Sequence, residues 1–248
     1  MDKITKKSEL RKYLESESKD KSIEYCIEWL KDRKIEKKIE YQLSEFECKS
    51  LCFPSVSYIQ KKFGSEIYKD ITEKAGLMQR YVYDKNIVFN DKELEIICDT
   101  REQNILSFKN IQIAKLDYGD YYSNNDNAIS IERKSLVDLV GTISQGYARF
   151  KKEIDRCRLD NNYLIVVIEE KYNNLLSFSY LPHMKMVRAK ETFILHRIRD
   201  LIQSNPMNLQ FLCVDGRKES VRVIEKIFNI KDNIRTIDLQ WAYNNKIL

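Results

Sequence analysis

Asp120, Glu132 and Lys134 are the residues whose types and spacing best suit chemistry. Three acidic clusters fall at the ends of short apolar runs. Asp99-Thr100-Arg101-Glu102 follows the run Glu93 to Cys98, Gly119-Asp120-Tyr121 lies between runs, and Glu132-Arg133-Lys134 closes the run Ala128 to Arg133. Side chains alternate along a strand, so Glu132 and Lys134 share one face roughly 6.6 Å apart, with Arg133 on the other. Asp120, on the preceding hairpin arm, can approach Glu132 across a sheet. Two carboxylates and an ammonium would then converge. Hard carboxylate oxygens suit Mg²⁺ or Mn²⁺, and such a cation activates water and offsets charge on phosphate oxygens. It also relieves the repulsion between the two acids. A lysine beside it can orient the attacking water, a contribution worth roughly 10²–10⁴ in rate. The chemistry to expect is phosphodiester hydrolysis. In a chain that is 33% charged, solvated strand-end charges are the usual explanation of such a trio taken alone. The Asp99 cluster reads just as well as a helix cap with an Arg101–Glu102 pair.

The elements that must position these residues are legible from periodicity. Residues 1–88 read as helical. Lys21 to Ile35 places Ile23, Cys26, Ile27 and Leu30 on three-four spacing. Ser55 to Phe63 and Glu66 to Ala75 read as two short helices parted by Gly64-Ser65, with Gly76 as a cap. The character changes near Asn90-Asp91. Strands are expected at Glu93 to Cys98, Ile111 to Leu116, Ala128 to Arg133, Tyr163 to Ile168 and Leu209 to Val214. The β-branched run at Tyr163 suits a buried central strand. Helices are expected at Ser135 to Ile143, Tyr147 to Leu159, Lys185 to Gln203 and Glu219 to Phe228. This alternation predicts an α/β layer structure with a mixed sheet flanked by helices, preceded by a small all-helical domain. The expected division is a helical domain at 1–88, a catalytic domain at 89–232 and a C-terminal tail at 233–248.

Bulk properties narrow the class. No apolar run approaches a membrane span, and the first residues lack the apolar core of a signal peptide, so an intracellular protein, cytoplasmic or nuclear, is expected. The net charge of +5 is a mild hint of polyanion binding, and neither half is strongly basic, so nucleic-acid contact would come from local patches. Of the six cysteines only Cys48 and Cys52 lie close together, and His183 and His196 are the only histidines, so a four-ligand zinc site is hard to assemble. Reduced thiols are the expectation. The basic residues Arg188, Lys190, Arg197 and Arg199 read as a wet helix face, and Glu169-Glu170 as a solvated strand end.

The wider string resembles a known family. Gly119-Asp120, then Glu132-Arg133-Lys134, then Asp138 after three residues, matches the GD…ERKxxxD signature of XPF-type structure-specific nucleases. Ile96-Ile97-Cys98-Asp99-Thr100-Arg101-Glu102 is similar to that family's first motif, a strand ending in D-x-R-E. The resemblance covers roughly Lys92 to Ile230. It implies a restriction-endonuclease-like core and a DNA endonuclease acting on branched or flap-type DNA in repair or recombination. It implies that Asp99, Asp120 and Glu132 serve Mg²⁺ or Mn²⁺, and that Arg133 and Lys134 act at the scissile phosphate. Arg101, Glu102 and Asp138 would support them. Arg149 matches the start of the family's following helix, where DNA-backbone contact and packing are both open. Relatives commonly work as homodimers or heterodimers. Many also carry a pair of helix-hairpin-helix motifs, which residues 231–248 do not fit. Pro54 to Ser65, then Ala75-Gly76-Leu77, is similar to the helical repeat associated with homing endonucleases; Ser55, Tyr58, Lys61 and Lys62 would then line a DNA-facing helix. A sequence-specific homing or restriction-type nuclease, or a nuclease fold kept as a DNA-binding scaffold, are the alternatives.

Overall fold

The computed structural model of the chain describes residues 7–124 and 128–248, which divide into two compact units. The first holds the described residues up to Tyr83 together with Thr236–Asn245. Its helices begin with α1 (Lys7–Ser16), α2 (Lys19–Lys37), α3 (Glu45–Ser50), α4 (Val56–Phe63) and α5 (Ile67–Lys74). In α2, Cys26 and Leu30 are buried as the spacing predicts, and Trp29 joins them. Helix α3 opens with a reciprocal cap: Ser44 accepts from the Glu47 N–H, and the Glu47 carboxylate accepts from the Ser44 N–H. Glu47 also pairs with Arg80, and both side chains are buried.

The second unit is built on one mixed sheet of six strands among the described residues. These are β1 (Ile96–Asp99), β2 (Ile111–Ala114), β3 (Tyr121–Ser123), β4 (Ile129–Lys134), β5 (Tyr163–Ile168) and β6 (Leu209–Cys213), in spatial order β2-β1-β3-β4-β5-β6. Strand β3 runs antiparallel to both β1 and β4, while β4, β5 and β6 are parallel. Parallel neighbours need long crossovers. Helices α6 (Leu136–Ser144) and α7 (Tyr147–Leu159) link β4 to β5, and α8 (Tyr172–Leu175) and α9 (Glu191–Ser204) link β5 to β6. Helix α10 (Arg217–Phe228) follows β6. Every residue of β5 is buried, as its β-branched run requires.

Two local expectations change. The helix expected from Lys185 begins at Glu191, because Lys190 is extended and the preceding chain makes 3₁₀ turns at Phe178–Tyr180 and Pro182–Met184. Arg197 and Arg199 are not on a wet face. Arg197 donates to the Ile143 and Ser144 carbonyls at the end of α6, both at 2.9 Å, and Arg199 is buried beside Asp200. No helix among the described residues is long and apolar enough to cross a membrane.

The stretch read from sequence as a tail contains α11 (Leu239–Asn244), which packs in the first unit. Its N-cap, Asp238, is wholly buried. One carboxylate oxygen accepts from the Trp241 N–H at 3.1 Å; the other accepts from the Glu45 N–H at 2.6 Å and the Tyr83 hydroxyl at 3.3 Å. One side chain therefore ties the starts of α3 and α11. Asp238→Ala removes a cap worth about 1 kcal/mol and orphans a buried N–H at a further cost of about 1–3 kcal/mol. A loss of roughly 2–4 kcal/mol in urea unfolding is expected. Burial, with Glu45 nearby, pushes the Asp238 carboxyl up to about 7. The folded state then holds a proton that the unfolded state releases near pH 4. This group's contribution to stability therefore falls as pH rises from about 4 through 7, and the Ala variant should lack that slope.

Candidate active site

The turn before β3 places Asp120. Gly119 has φ +71°, and a Cβ there would lie 3.0 Å from the Ile131 carbonyl oxygen, so glycine is required both by conformation and by the close approach of β4. The Asp120 N–H donates to that same oxygen at 2.7 Å, and the Asp120 carboxylate accepts from the Arg133 N–H at 2.7 Å. The Asp120 side chain is thus pinned against β4 at Arg133, the residue between Glu132 and Lys134 in sequence. Gly119→Ala is expected to cost about 1–2 kcal/mol from the left-handed conformation alone. The contact with β4 adds to this, because the neighbour is backbone. Urea midpoints and far-ultraviolet circular dichroism check it; a variant as stable as the wild type would show that the turn is not held this way.

Glu132 and Lys134 share a face of β4, and the Lys134 ammonium is in direct contact with the Glu132 carboxylate. Both side chains are largely buried. Burial pushes the Glu132 carboxyl well above its ordinary range, and the neighbouring Asp120 charge pushes it further. Asp120 is likewise raised, chiefly by burial, against the lowering effect of the Arg133 N–H and Lys134. Burial would lower Lys134, but attraction to Glu132, Asp120 and Glu153 outweighs it and holds the ammonium above its usual value. The site thus holds two acids whose negative charges are undercompensated.

Glu153, on α7, was not singled out from sequence. Its carboxylate accepts from the Gly119 N–H at 3.2 Å and adds negative charge near Glu132, Lys134 and Arg101. Nothing local marked it: its partner lies in a turn 34 positions earlier. Three-four spacing on α7 puts Arg149, Lys152 and Arg156 along the same side of the helix as Glu153. Arg149 is exposed, while its neighbour Phe150 is buried.

Other expected site residues are engaged elsewhere. Asp99 is buried, and Arg101 grips it through two hydrogen bonds of 2.8 and 2.7 Å, with the Arg101 and Leu116 N–H groups completing the set. These bonds, Arg101 first, hold Asp99 down at about 2. Both its oxygens accept hydrogen bonds, and its own N–H donates to the Asp120 carbonyl at 2.9 Å. Arg133, expected at the scissile phosphate, points from the opposite face. Its guanidinium donates to Glu169 at 2.7 Å, Glu102 at 3.1 Å and the Asn104 carbonyl at 3.2 Å. Arg217 donates to the Asn104 and Ile105 carbonyls, both at 2.7 Å, so two arginines secure the loop after β1. Glu169 is consequently an ion-pair partner and not a solvated strand end. Asp138, expected to support Arg133 and Lys134, instead belongs to the cap of α6: the N-cap Ser135 accepts from the Asp138 N–H, and its hydroxyl donates to the Asp138 carboxylate at 2.6 Å. Among the described residues no group of three or more His, Cys, Asp or Glu is arranged to hold a metal ion.

In the first unit, Ser55 uses its hydroxyl to cap α4 at the Tyr58 N–H, and the Lys62 ammonium donates to the Leu14 carbonyl. Of the four residues expected to line a DNA-facing helix, Ser55 and Lys62 therefore have structural bonds, Tyr58 is half-buried and Lys61 is exposed.

The family model for the ERCC4 domain matches residues 90–227, more than half of the chain. Two solved structures are similar: XPF from Aeropyrum pernix, at 17% identity and a TM-score of 0.41, and XPF from the same organism in complex with DNA, at 16% and 0.41. Each likeness covers 54% of this chain and 63% or 62% of the other, so the chain spans less than two thirds of the structures it matches. No curated protein matches it. The mixed sheet with flanking helices, and the helical region before it, agree with the architecture expected from the sequence.

Proposed function

The chain belongs to the ERCC4 domain family, and on that basis we propose that it is a divalent-metal-dependent DNA endonuclease working through Asp120, Glu132 and Lys134. The observation that carries this reading is the buried pair of acids, both raised in proton affinity, set against one lysine. Such a pair is costly unless a cation completes it. The donor set fits: Mg²⁺ is commonly bound by one or two carboxylates, with water and substrate phosphate filling the remaining positions. Mg²⁺ or Mn²⁺ would supply activation of water and neutralisation of charge on the phosphate oxygens. Asp120 and Glu132 would hold it, Asp120 fixed by the Arg133 N–H and Glu132 by the strand. Lys134 orients the attacking water and faces the charge that grows on phosphorus oxygens. Arg133 acts as a positioning residue, tying β4 to the loop after β1 through Glu102 and Glu169.

The substrate proposed is branched or flap-type DNA of the kind that arises in repair and recombination. Labelled flaps, splayed arms, four-way junctions and linear duplex, incubated with Mn²⁺ or with EDTA, test both parts. Mn²⁺-dependent cutting near a branch is expected. Cutting at one sequence in plain duplex would favour a homing or restriction-type enzyme, and binding without cutting under any condition would overturn the enzymatic reading.

A further inference from the structure

We propose that residues 171–190 form a platform for an unpaired DNA strand beside the cleavage site, an inference that rests on the nuclease reading for its substrate class. Strand β5 ends at Ile168, paired with Lys134, and the Glu169 N–H donates to the Lys134 carbonyl at 2.9 Å. The segment therefore leaves the sheet at the strand end that carries Glu132 and Lys134. From Lys171 to Lys190 the chain holds four Lys or Arg and no Asp or Glu, in a protein with 38 acidic residues. The flanking acids are engaged: Glu170 accepts from the Lys171 N–H and the Asn174 amide, and Glu191 from the Ser179 N–H.

The segment is also ordered to hold apolar groups outward. Phe178 and Met184 are buried anchors, and turn bonds from Leu181 to Phe178, Met184 to Leu181 and Val187 to Met184 fix the backbone between them. Two residues beyond each anchor, Tyr180 is 86% and Met186 92% exposed. Lys185, Arg188 and Lys190 stand exposed around them. A projecting aromatic ring and a polarizable thioether set among cations suit bases and phosphates together. Duplex DNA hides its base faces within the stack, so the complement of this surface is an unpaired strand. A protein partner would gain from the apolar pair but would leave the uniform positive charge unmatched unless it were acidic.

The test uses the full chain in EDTA, so that binding is read without cutting. Fluorescence anisotropy is measured on labelled oligo-dT and on blunt duplex, with the variants Tyr180→Ala/Met186→Ala and Lys185→Gln/Arg188→Gln/Lys190→Gln. The exposed positions make misfolding a poor explanation of any effect. The first variant is expected to weaken oligo-dT binding at least about fivefold while changing duplex binding less than about twofold. The second should flatten the slope of log K against log salt for oligo-dT by about 2, from three lost phosphate contacts. Unchanged oligo-dT binding in both variants overturns the platform, as does wild type that fails to bind oligo-dT. A change in sedimentation without a change in DNA binding also overturns it, assigning the surface to a second copy of the chain. Wild-type cutting of splayed-arm DNA with Mn²⁺ is followed in parallel. Cutting with insensitive platform variants sinks only the platform; platform-dependent binding without cutting sinks only the nuclease reading.

Discussion

Lys134→Ala is expected to cleave DNA at least about a hundredfold more slowly than wild type under single-turnover conditions, the scale of a lost acid–base or charge-stabilising group. The ammonium touches Glu132 and also interacts with Asp120, so its removal takes positive charge from the place where phosphate would sit. Glu132 already favours its neutral form through burial and the Asp120 charge. Taking up a proton lets the fold tolerate the loss, so stability should change far less than rate. Lys134→Arg should rescue poorly, because a planar guanidinium does not replace a compact ammonium in a largely buried position. Equal binding of DNA in EDTA by wild type and Lys134→Ala would locate the defect in the chemical step. Wild-type cutting by Lys134→Ala would remove the lysine from the mechanism.

Asp120→Asn is expected to abolish measurable cutting and to weaken Mn²⁺ binding by more than about a hundredfold, since even outer-shell partners of a metal cost about 10–100-fold. The substitution keeps an oxygen for the Arg133 N–H, so the turn should survive. Its pH behaviour has a definite sign. In wild type both acids are raised, and a cation must displace the proton they retain, so Mn²⁺ affinity falls as pH drops through their raised values. Neutral Asn at position 120 removes the like charge that raises Glu132. The pH midpoint of the residual binding should therefore move down, while its plateau affinity falls. Isothermal titration with Mn²⁺ between pH 5 and pH 9 measures both. An upward shift of the midpoint would contradict the like-charge repulsion of Glu132 by Asp120.

The parts of this molecule that obey local periodicity were readable. Glu132 and Lys134 share a face because a strand alternates, and β5 announced its burial through unbroken β-branched residues. Strand β3 was missed because three residues, Tyr121 to Ser123, are too few to display a period. Contacts between distant segments were also out of reach. Asp99 carries no sign in sequence that Arg101 and two backbone N–H groups fill both its oxygens. Arg133 was placed on the correct face of β4, yet its partners Glu102 and Glu169 come from two other segments, and this turned an expected phosphate contact into a structural clamp. Asp138 was a different kind of miss. Ser135 followed three residues later by an acid is a capping pattern visible in sequence, and it coincides with the last acid of the family motif. Asp238 and Trp241 likewise carry a cap-and-anchor signal within a stretch dismissed as a tail.

The most direct measurement compares single-turnover cleavage of a labelled splayed-arm duplex by wild type and Glu132→Gln, each at saturating DNA across a Mn²⁺ titration. A wild-type rate that rises with Mn²⁺ and vanishes in EDTA is expected, with the Gln variant at least about a hundredfold slower at every concentration. Equal rates for the two proteins, or a wild-type rate indifferent to EDTA, would contradict a cation held by the carboxylates of Asp120 and Glu132.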